Sequence, residues 1–346
     1  MARRPSQAQV YQDLADRYGV RVAEAFFAAV QDLRRQADIR RVIEALDRRD
    51  YEAALQALNI EEAAFADLLE AVREGYREGG KTAADYTPTR TPDGAALVTR
   101  FDMGNPQAEA EAREHGARLV RRITEEVRQS IRQEIADGLR LGLNPRQIVP
   151  NIVGRISRAT GEREGGILGL TEPQAQAVRR ARQELASGEP AQLRSYLERG
   201  RRDRRFDRTV QKAIREGVSP PAEKQAAMIL AYERKLLALR GEMIGRTEAM
   251  SAIHAGQHRA LLQAVREGKL KAENITRVWR SAGDFRVRHT HRALDRESVG
   301  LEGVFVSPSG ARMRYPGDTS LGAPASEVVG CRCVIAVRVD WFAGVR

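Results

Sequence analysis

Cysteine is nearly absent from this sequence, which contains only Cys331 and Cys333, separated by one residue. Two cysteines so close together do not make a disulfide framework, because the ring that joined them would be strained. Aromatic residues are also scarce at 5%, whereas charged residues reach 30%, a balance that favours long helices over a β-rich fold. We therefore expect a mainly α-helical protein that is made in a reducing compartment.

Long hydrophobic runs are missing as well. No apolar run approaches the ~20 residues that a membrane-spanning helix needs, and none follows the basic first residues as it would in a signal peptide. We expect a soluble protein without a membrane partner, made in a cytoplasm.

Basic residues outnumber acidic residues by 58 to 47, which gives a formal net charge of +11. Such a surplus is typical of proteins that bind polyanions, although an arginine-rich genome would produce the same composition.

Patterns of apolar and turn-forming residues divide the chain into four regions. Residues 1–80 are predicted to form a helical bundle, 81–106 a linker or arm, 107–270 a central helical region and 271–346 a compact C-terminal α+β unit. The fold class that follows is mainly α, with long helices in the N-terminal and central regions and a small mixed unit at the end.

Local signals place several elements within these regions. The segments Asn144–Gln147 and Thr171–Gln174 each combine a capping residue, an early proline and a glutamine, which is typical of a helix start. Alternating residues over 275–280 predict a strand, and a second strand within 331–339 is expected to close a small sheet.

The longest predicted helix covers about residues 221–267 and carries a heptad-like seam. Two rows of residues seven apart form it: Ile229, Leu236, Met243 and Met250, and Tyr232, Leu239, Arg246 and Ile253. We predict that Arg246 is buried in this seam and meets Asp284 or Asp295, because a buried guanidinium without a partner is very costly. If the seam ends at Met243, Arg246 is exposed instead.

Arginines are densest between residues 199 and 208. Arg201, Arg202, Arg204 and Arg205 are candidates for contact with DNA phosphates. Two aspartates lie in the same run, so a solvated helix junction is the alternative.

The C-terminal unit contains the candidate site residues. Asp284, Arg286 and Arg288 would share one face of an extended segment beside Trp279, which predicts an ion-pair network. A second set has the residue types of tetrahedral zinc sites: His289, His291, Cys331 and Cys333. A structural zinc would explain how a loop-rich unit stays folded. The spacing does not match the familiar zinc finger, and buried thiols beside hydrogen-bonded histidines are the alternative.

Several of these residues together resemble the head-morphogenesis domain of the phage Mu F-type minor head proteins over about residues 145–340. The residues that carry the resemblance, in chain order, are Arg246, Glu248, Trp279, Asp284, Arg286, Arg288, His289, the segment Tyr315–Asp318, Cys331, Arg332 and Cys333. One departure is Arg296, which stands where these proteins often have glycine.

The resemblance implies a minor structural protein of a tailed-phage or prophage head. Such a protein lies in the virion, associates with the portal protein and is packaged with or near DNA. The major capsid or scaffold protein is a further expected partner. Arg246, Glu248, Asp284, Arg286, Arg288 and His289 would then have structural roles.

The competing hypothesis is an enzyme. A nuclease or other hydrolase would use His289, His291, Cys331 and Cys333 to hold a catalytic metal with an open position for water. The sequence has no His-Glu-x-x-His motif, no Gly-x-Ser-x-Gly motif and no evident carboxylate pair. We therefore expect a structural protein rather than an enzyme.

Overall fold

The computed structural model describes residues 5–343 of the chain. Helices account for 61% of the structure and strands for 7%, with a small sheet near the C-terminal end. The prediction of a mainly α fold with a small C-terminal mixed unit is therefore confirmed. Within the described residues, no helix combines the length and the apolar character that crossing a membrane requires.

The helices lie in chain order at α1 (Gln7–Gln36), α2 (Ile39–Asp47), α3 (Tyr51–Ala57), α4 (Ala66–Asp85), α5 (Pro106–Arg140), α6 (Pro145–Val153), α7 (Glu172–Ala186), α8 (Pro190–Glu198), α9 (Asp207–Glu216), α10 (Ala222–Arg266), α11 (His289–Ala293) and α12 (Ala325–Val328). The strands are β1 (Arg155–Ile156), β2 (Arg163–Glu164), β3 (Ile275–Arg280), β4 (Ser298–Gly300), β5 (Phe305–Val306), β6 (Arg312–Met313) and β7 (Val334–Val339).

Both predicted capping signals start helices. At α6 the Asn144 side chain accepts a hydrogen bond from the Gln147 amide at 3.1 Å, and the Gln147 side chain accepts one from the Asn144 amide at 3.0 Å. At α7 the Gln174 side chain accepts a hydrogen bond from the Thr171 amide at 3.1 Å. These bonds satisfy amides that the first helical turn leaves without partners.

The chain forms two compact units, and each unit draws on separate parts of the sequence. Unit 1 comprises Met1–Ala25, Ala66–Leu119 and Glu242–Arg346, and unit 2 comprises Phe26–Phe65 and Val120–Gly241. The boundaries fall inside or next to helices rather than in linkers. The division predicted from the sequence, at residues 80, 106 and 270, follows chain order and therefore differs from this one.

Glycines allow close helix packing in unit 1. A Cβ atom at Gly245 of α10 would lie 2.2 Å from the carbonyl oxygen of Gly19 in α1. A Cβ atom at Gly256 would lie 1.9 Å from the carbonyl oxygen of Tyr76 in α4. Neither distance leaves room for a side chain, so glycine at these positions lets the backbones approach.

The same packing places Arg246 in solvent. Gly245 faces α1, and the next residue, Arg246, is exposed. The prediction that Arg246 is buried against Asp284 or Asp295 is therefore wrong. Five of the eight residues of the predicted seam are buried, namely Ile229, Tyr232, Leu236, Met250 and Ile253. The seam fails at Arg246, where the contact with α1 is made by the neighbouring glycine instead.

The sheet of unit 1 has three antiparallel strands in the order β4-β3-β7. Trp279 of β3 pairs with Ile335 of β7, and both are buried. The predicted strand at 275–280 is confirmed, and the strand expected within 331–339 covers Val334–Val339.

The segment after β3 is a turn rather than an extended strand. The Val287 amide donates to the carbonyl oxygen of Asp284 at 3.2 Å, and the Arg286 amide donates to Oδ1 of Asp284 at 3.0 Å. The prediction that Asp284, Arg286 and Arg288 share one face of an extended segment is wrong, because the aspartate side chain closes the turn locally.

Unit 2 contains a buried ion-pair network. Arg182 of α7 contacts Glu134 of α5 at 2.9 Å and Glu233 of α10 at 2.6 Å. Glu233 also accepts a hydrogen bond from the Gly166 amide at 2.8 Å. The buried carboxylates of Glu134 and Glu233 therefore each have a cationic partner, as burial requires.

Candidate metal centre

A histidine and two cysteines about 40 positions further along the chain meet beside the sheet of unit 1. Within the described part of the chain, His291, Cys331 and Cys333 form a group whose ligand atoms all lie within 4.8 Å of one another. His291 lies on α11, and the two cysteines lie in the loop that leads into β7. Their exposed fractions are 1% for His291 and 2% for each cysteine, and neither cysteine is in a disulfide.

The spacing of these atoms fits a tetrahedral metal ion. Nδ1 of His291 lies 3.4 Å from Sγ of Cys331 and 3.5 Å from Sγ of Cys333. A zinc ion with ordinary Zn–S and Zn–N bonds places a nitrogen and a sulfur ligand about 3.6 Å apart. Both nitrogen–sulfur distances therefore match edges of such a tetrahedron, and this group could hold a metal ion.

A turn brings the two cysteine sulfurs to the same side of the chain. Gly330 has a φ of +68°, and the Cys333 amide approaches Sγ of Cys331 at 3.4 Å. In an extended Cys-x-Cys segment the two sulfurs would lie too far apart to bind one metal ion. The segment here is not part of a strand, because β7 begins only at Val334.

The Glu327 carboxylate lies against the far nitrogen of the His291 ring. Oε2 of Glu327 lies 2.9 Å from Nε2 of His291. Thr290 donates to this carboxylate at 3.0 Å and Ser309 at 2.6 Å, so the carboxylate is itself held in place. A carboxylate on the far nitrogen of an imidazole is typical of metal-bound histidine, because it leaves the other nitrogen to face the metal.

The pKa values of the two thiols are shifted in opposite directions. Hydrogen bonding from Cys333 lowers the pKa of Cys331 well below its usual range, and His291 adds to this effect. The hydrogen bond with Cys331, together with burial, raises the pKa of Cys333. The pair therefore retains one proton, which a bound metal cation would displace to give two thiolates.

Aromatic packing holds the centre from the sheet side. The ring of Trp279 meets His291 edge-on with centroids 5.2 Å apart, and Phe305 packs on Trp279 at 5.3 Å. Both rings are buried. This packing limits the rotation of the imidazole, so the ligand geometry is preorganised.

His289 lies outside the cluster. It is the first residue of α11 and is exposed, whereas His291 is buried. The predicted four-ligand set of His289, His291, Cys331 and Cys333 is therefore wrong in one member.

Asp284 pairs with an arginine other than the two that the predicted ion-pair network contains. Arg332, between the two cysteines, makes two hydrogen bonds to the Asp284 carboxylate, at 2.6 and 2.7 Å. These bonds lower the pKa of Asp284 to about 2. Arg286 is exposed, with its guanidinium over the ring of Phe285, and Arg288 donates to the Val329 carbonyl. The side chains of Arg286 and Arg288 thus make no hydrogen bond to Asp284 in the described structure.

Glu248 and Arg246 have separate environments. Glu248 is buried, and its carboxylate lies 3.5 Å from Nε2 of His115. Arg246 is exposed two residues earlier on α10. The two residues therefore do not form a shared buried pair.

The arginine-rich run of unit 2 is largely occupied by internal ion pairs. Arg202 contacts Asp207 at 2.8 Å, and Arg205 contacts Asp203 at 2.7 Å. Arg201 and Arg204 are exposed. DNA contact through Arg201, Arg202, Arg204 and Arg205 stays a prediction, but two of these four guanidiniums already bind carboxylates.

Sequence reasoning missed Glu327 and Arg277, and it did not identify Arg332 as the partner of Asp284. Arg277 of β3 is 1% exposed, and its guanidinium donates to the carbonyl oxygens of Gly300, Gly303 and Arg314. Burial lowers its pKa to about 10. The alternation of β3 places Arg277 on the same face as Trp279, and this was the signal that it is an inward-facing residue.

No protein-family model, no curated protein and no solved structure matches this chain.

Proposed function

We propose that this chain is a minor structural protein of a tailed-phage head, of the phage Mu F type, that acts in head morphogenesis. It docks to the portal protein or the capsid interior close to packaged DNA, and the major capsid or scaffold protein is a further partner. The ordered set of residues that resembles this family is the starting point of the proposal. The virion is the corresponding location.

One observation carries the proposal. Two residues of the resemblance that lie 48 positions apart meet beside the buried centre: Asp284 binds Arg332, which stands between Cys331 and Cys333. Trp279, another residue of the resemblance, packs on His291 of the same centre. Residues that resemble the family and contact one another in this way fit a structural role, because each contact stabilises the fold of unit 1.

The finer proposal for the metal is structural zinc. Two thiolates and one imidazole form a donor set that zinc favours, and Glu327 supplies the outer carboxylate. His291, Cys331 and Cys333 would hold the ion. When bound, zinc would link α11 to the loop before β7, and the free energy of binding would stabilise a part of unit 1 that has short strands and many turns.

The hydrolase alternative is less well supported by the same geometry. A catalytic zinc needs a ligand position that substrate and water can reach. Three protein ligands leave one of the four zinc positions without a protein donor, which is typical of catalytic sites. The three candidate ligands are nevertheless at most 2% exposed, so a substrate has little access to that position. Their burial favours a metal that stabilises the fold over one that acts on a nucleic acid.

The test of the proposed function is assembly. The chain is co-expressed with the portal and capsid proteins of its phage or prophage, and particles are purified and imaged by electron microscopy. We expect the chain in the particles, with density beside the portal inside the head. A chain that stays free of particles, and cleaves nucleic acid only when metal is bound, would support the hydrolase instead.

A further inference from the structure

The turn at residues 284–287, here named the Phe285 turn, presents one large apolar side chain to solvent. Phe285 is 86% exposed. Single exposed apolar residues are common and need no explanation by themselves. The Phe285 turn differs because its backbone is fastened on both sides of the exposed ring.

Several contacts hold the Phe285 turn in place. The Asp284 carboxylate binds the Arg332 guanidinium through two hydrogen bonds and also accepts one from the Arg286 amide. Val287 is buried, and Arg288 donates to the Val329 carbonyl. A fixed backbone reduces the conformational entropy lost when Phe285 binds a partner, and this preorganisation favours recognition.

The surroundings of the Phe285 turn are basic. Residues 280–296 contain five arginines and two aspartates. Both aspartates are engaged within the unit, Asp284 by Arg332 and Asp295 by the Ser281 amide at 2.8 Å. Arg286 lies over the Phe285 ring, and both Arg286 and Arg292 are exposed. A partner that complements this surface therefore carries acidic groups around an apolar pocket.

The ring geometry favours a protein over a nucleic acid as that partner. A base would stack on a free face of the aromatic ring. The guanidinium of Arg286 lies over the Phe285 ring, 5.6 Å from its centroid, and therefore covers one of the two faces on which a base could stack. Insertion of the ring and its arginine into a pocket needs no open ring face. Aromatic residues and arginine are also the types that dominate binding energy at protein interfaces.

We propose that the Phe285 turn is the docking element of this chain, and that it inserts Phe285 into an apolar pocket rimmed by carboxylates on another protein of the head. This inference rests on the proposed function and deepens it by naming the surface and the chemistry of the partner. Arg332 lies between the two cysteines of the metal centre, so that centre positions the turn through the Asp284–Arg332 pair.

Site-specific photo-crosslinking in assembled particles tests this docking element. The chain is made with Phe285→p-benzoylphenylalanine, particles are purified and irradiated, and adducts are identified by mass spectrometry. We expect an adduct to a segment of another head protein that is rich in Asp and Glu. The same photo-reactive residue in place of the half-exposed Val218 of unit 2 is the matched control and should not yield that adduct.

Binding measurements on single-residue variants then separate the contribution of Phe285 from that of Arg332. Binding of the purified chain to the crosslinked protein should weaken about 30-fold with Phe285→Ala, the loss typical of a residue that dominates an interface. Arg332→Gln should weaken it several-fold while Phe285 is still present. Arg312→Gln, at an exposed arginine in the same unit, should leave it unchanged.

The outcomes distinguish the two proposals. Particles that contain the chain but give no adduct from position 285, or give an adduct to DNA, overturn the docking inference and leave the proposed function standing. An unchanged affinity with Arg332→Gln overturns the link to the metal centre. A chain that never enters particles overturns the proposed function, and the docking inference falls with it.

Discussion

At the scale of single residues, chemistry predicted which side chains matter better than it predicted their partners. His291, Cys331 and Cys333 meet as expected from their residue types, but His289 does not join them. Two positions separate the histidines, so only one of them can face inward at the start of α11. The carboxylate partner, Glu327, could not be found from the sequence because nothing in the spacing relates it to His291.

Loss of the Glu327 carboxylate should weaken metal binding. Glu327→Gln removes the negative charge that holds His291 in the orientation seen here, and we expect the zinc affinity to fall by about 10- to 100-fold. Competition with a zinc indicator dye measures this change. Glu302→Gln, at an exposed glutamate of the same unit, is the control and should have no effect. Equal affinities for both variants would contradict the role given to Glu327.

Two arginines of unit 1 should differ strongly in their contribution to stability. Arg277→Ala removes the donors to the Gly300, Gly303 and Arg314 carbonyls, and we expect it to lower the free energy of unfolding by at least about 3 kcal/mol. Arg246→Ala changes an exposed side chain and should stay within about 0.5 kcal/mol of the parent protein. Urea denaturation measures both. Similar losses would show that Arg277 is not the better-anchored residue.

The Asp284–Arg332 pair should persist to low pH. The pKa of Asp284 lies at about 2, below its ordinary value of about 4. A depressed carboxyl pKa means that the stabilisation is fully present above about pH 4 and is lost as the pH falls through about 2. Carbon-13 NMR of the Asp284 carboxyl should follow this titration. Arg332→Gln should return the pKa of Asp284 towards 4, and no shift would mean that Arg332 is not its cause.

At the scale of elements, the sequence predicted where helices begin more reliably than which faces they bury. Asn144 and Thr171 start helices because capping depends only on residues three positions apart. The buried face of α10 includes most residues of the predicted seam, but it also depends on glycines such as Gly245 and Gly256, which carry no hydropathy signal. Their importance lies in the backbone of another helix, and the sequence of α10 does not contain that information.

Alanine at Gly256 should therefore be destabilising even though alanine favours a helix. Gly256→Ala would place a methyl group 1.9 Å from the Tyr76 carbonyl oxygen, and the overpacking should outweigh the gain of about 1 kcal/mol in helix propensity. We expect a net loss of about 1–3 kcal/mol, measured as a lower melting temperature. Gly200→Ala has no neighbour within 4 Å and is the control. A stabilised Gly256→Ala variant would contradict the close packing of α10 and α4.

At the scale of the whole molecule, the amino-acid composition predicted the fold class but not which segments of the chain form each compact unit. Few aromatics and many charges are typical of long helices, and the structure is mainly α. Unit 1 nevertheless combines three separate segments of the chain. Periodicity describes neighbours along the sequence, so it could not indicate which distant segments share a core.

Metal removal should increase hydrogen exchange in unit 1 but not in unit 2. All three candidate ligands belong to it, so chelation should increase hydrogen exchange in α11, β3 and β7 and leave α7 and α8 of unit 2 unchanged. Added zinc should reverse the change. Exchange that rises equally in both units, or does not respond to chelation, would contradict a structural metal in this part of the chain.

The pairing of the first helix with the last strand has a consequence for synthesis. The Val337 amide donates to the Gln7 side chain across 330 positions of sequence, at 2.6 Å. At 5–20 residues per second, a ribosome needs about 15–65 seconds to span that interval. During this time the N-terminal part of α1 cannot contact β7, because that strand has not yet been synthesised. Unit 1 can therefore close only after nearly the whole chain is made, and a chaperone that shields α1 should raise the yield of folded protein.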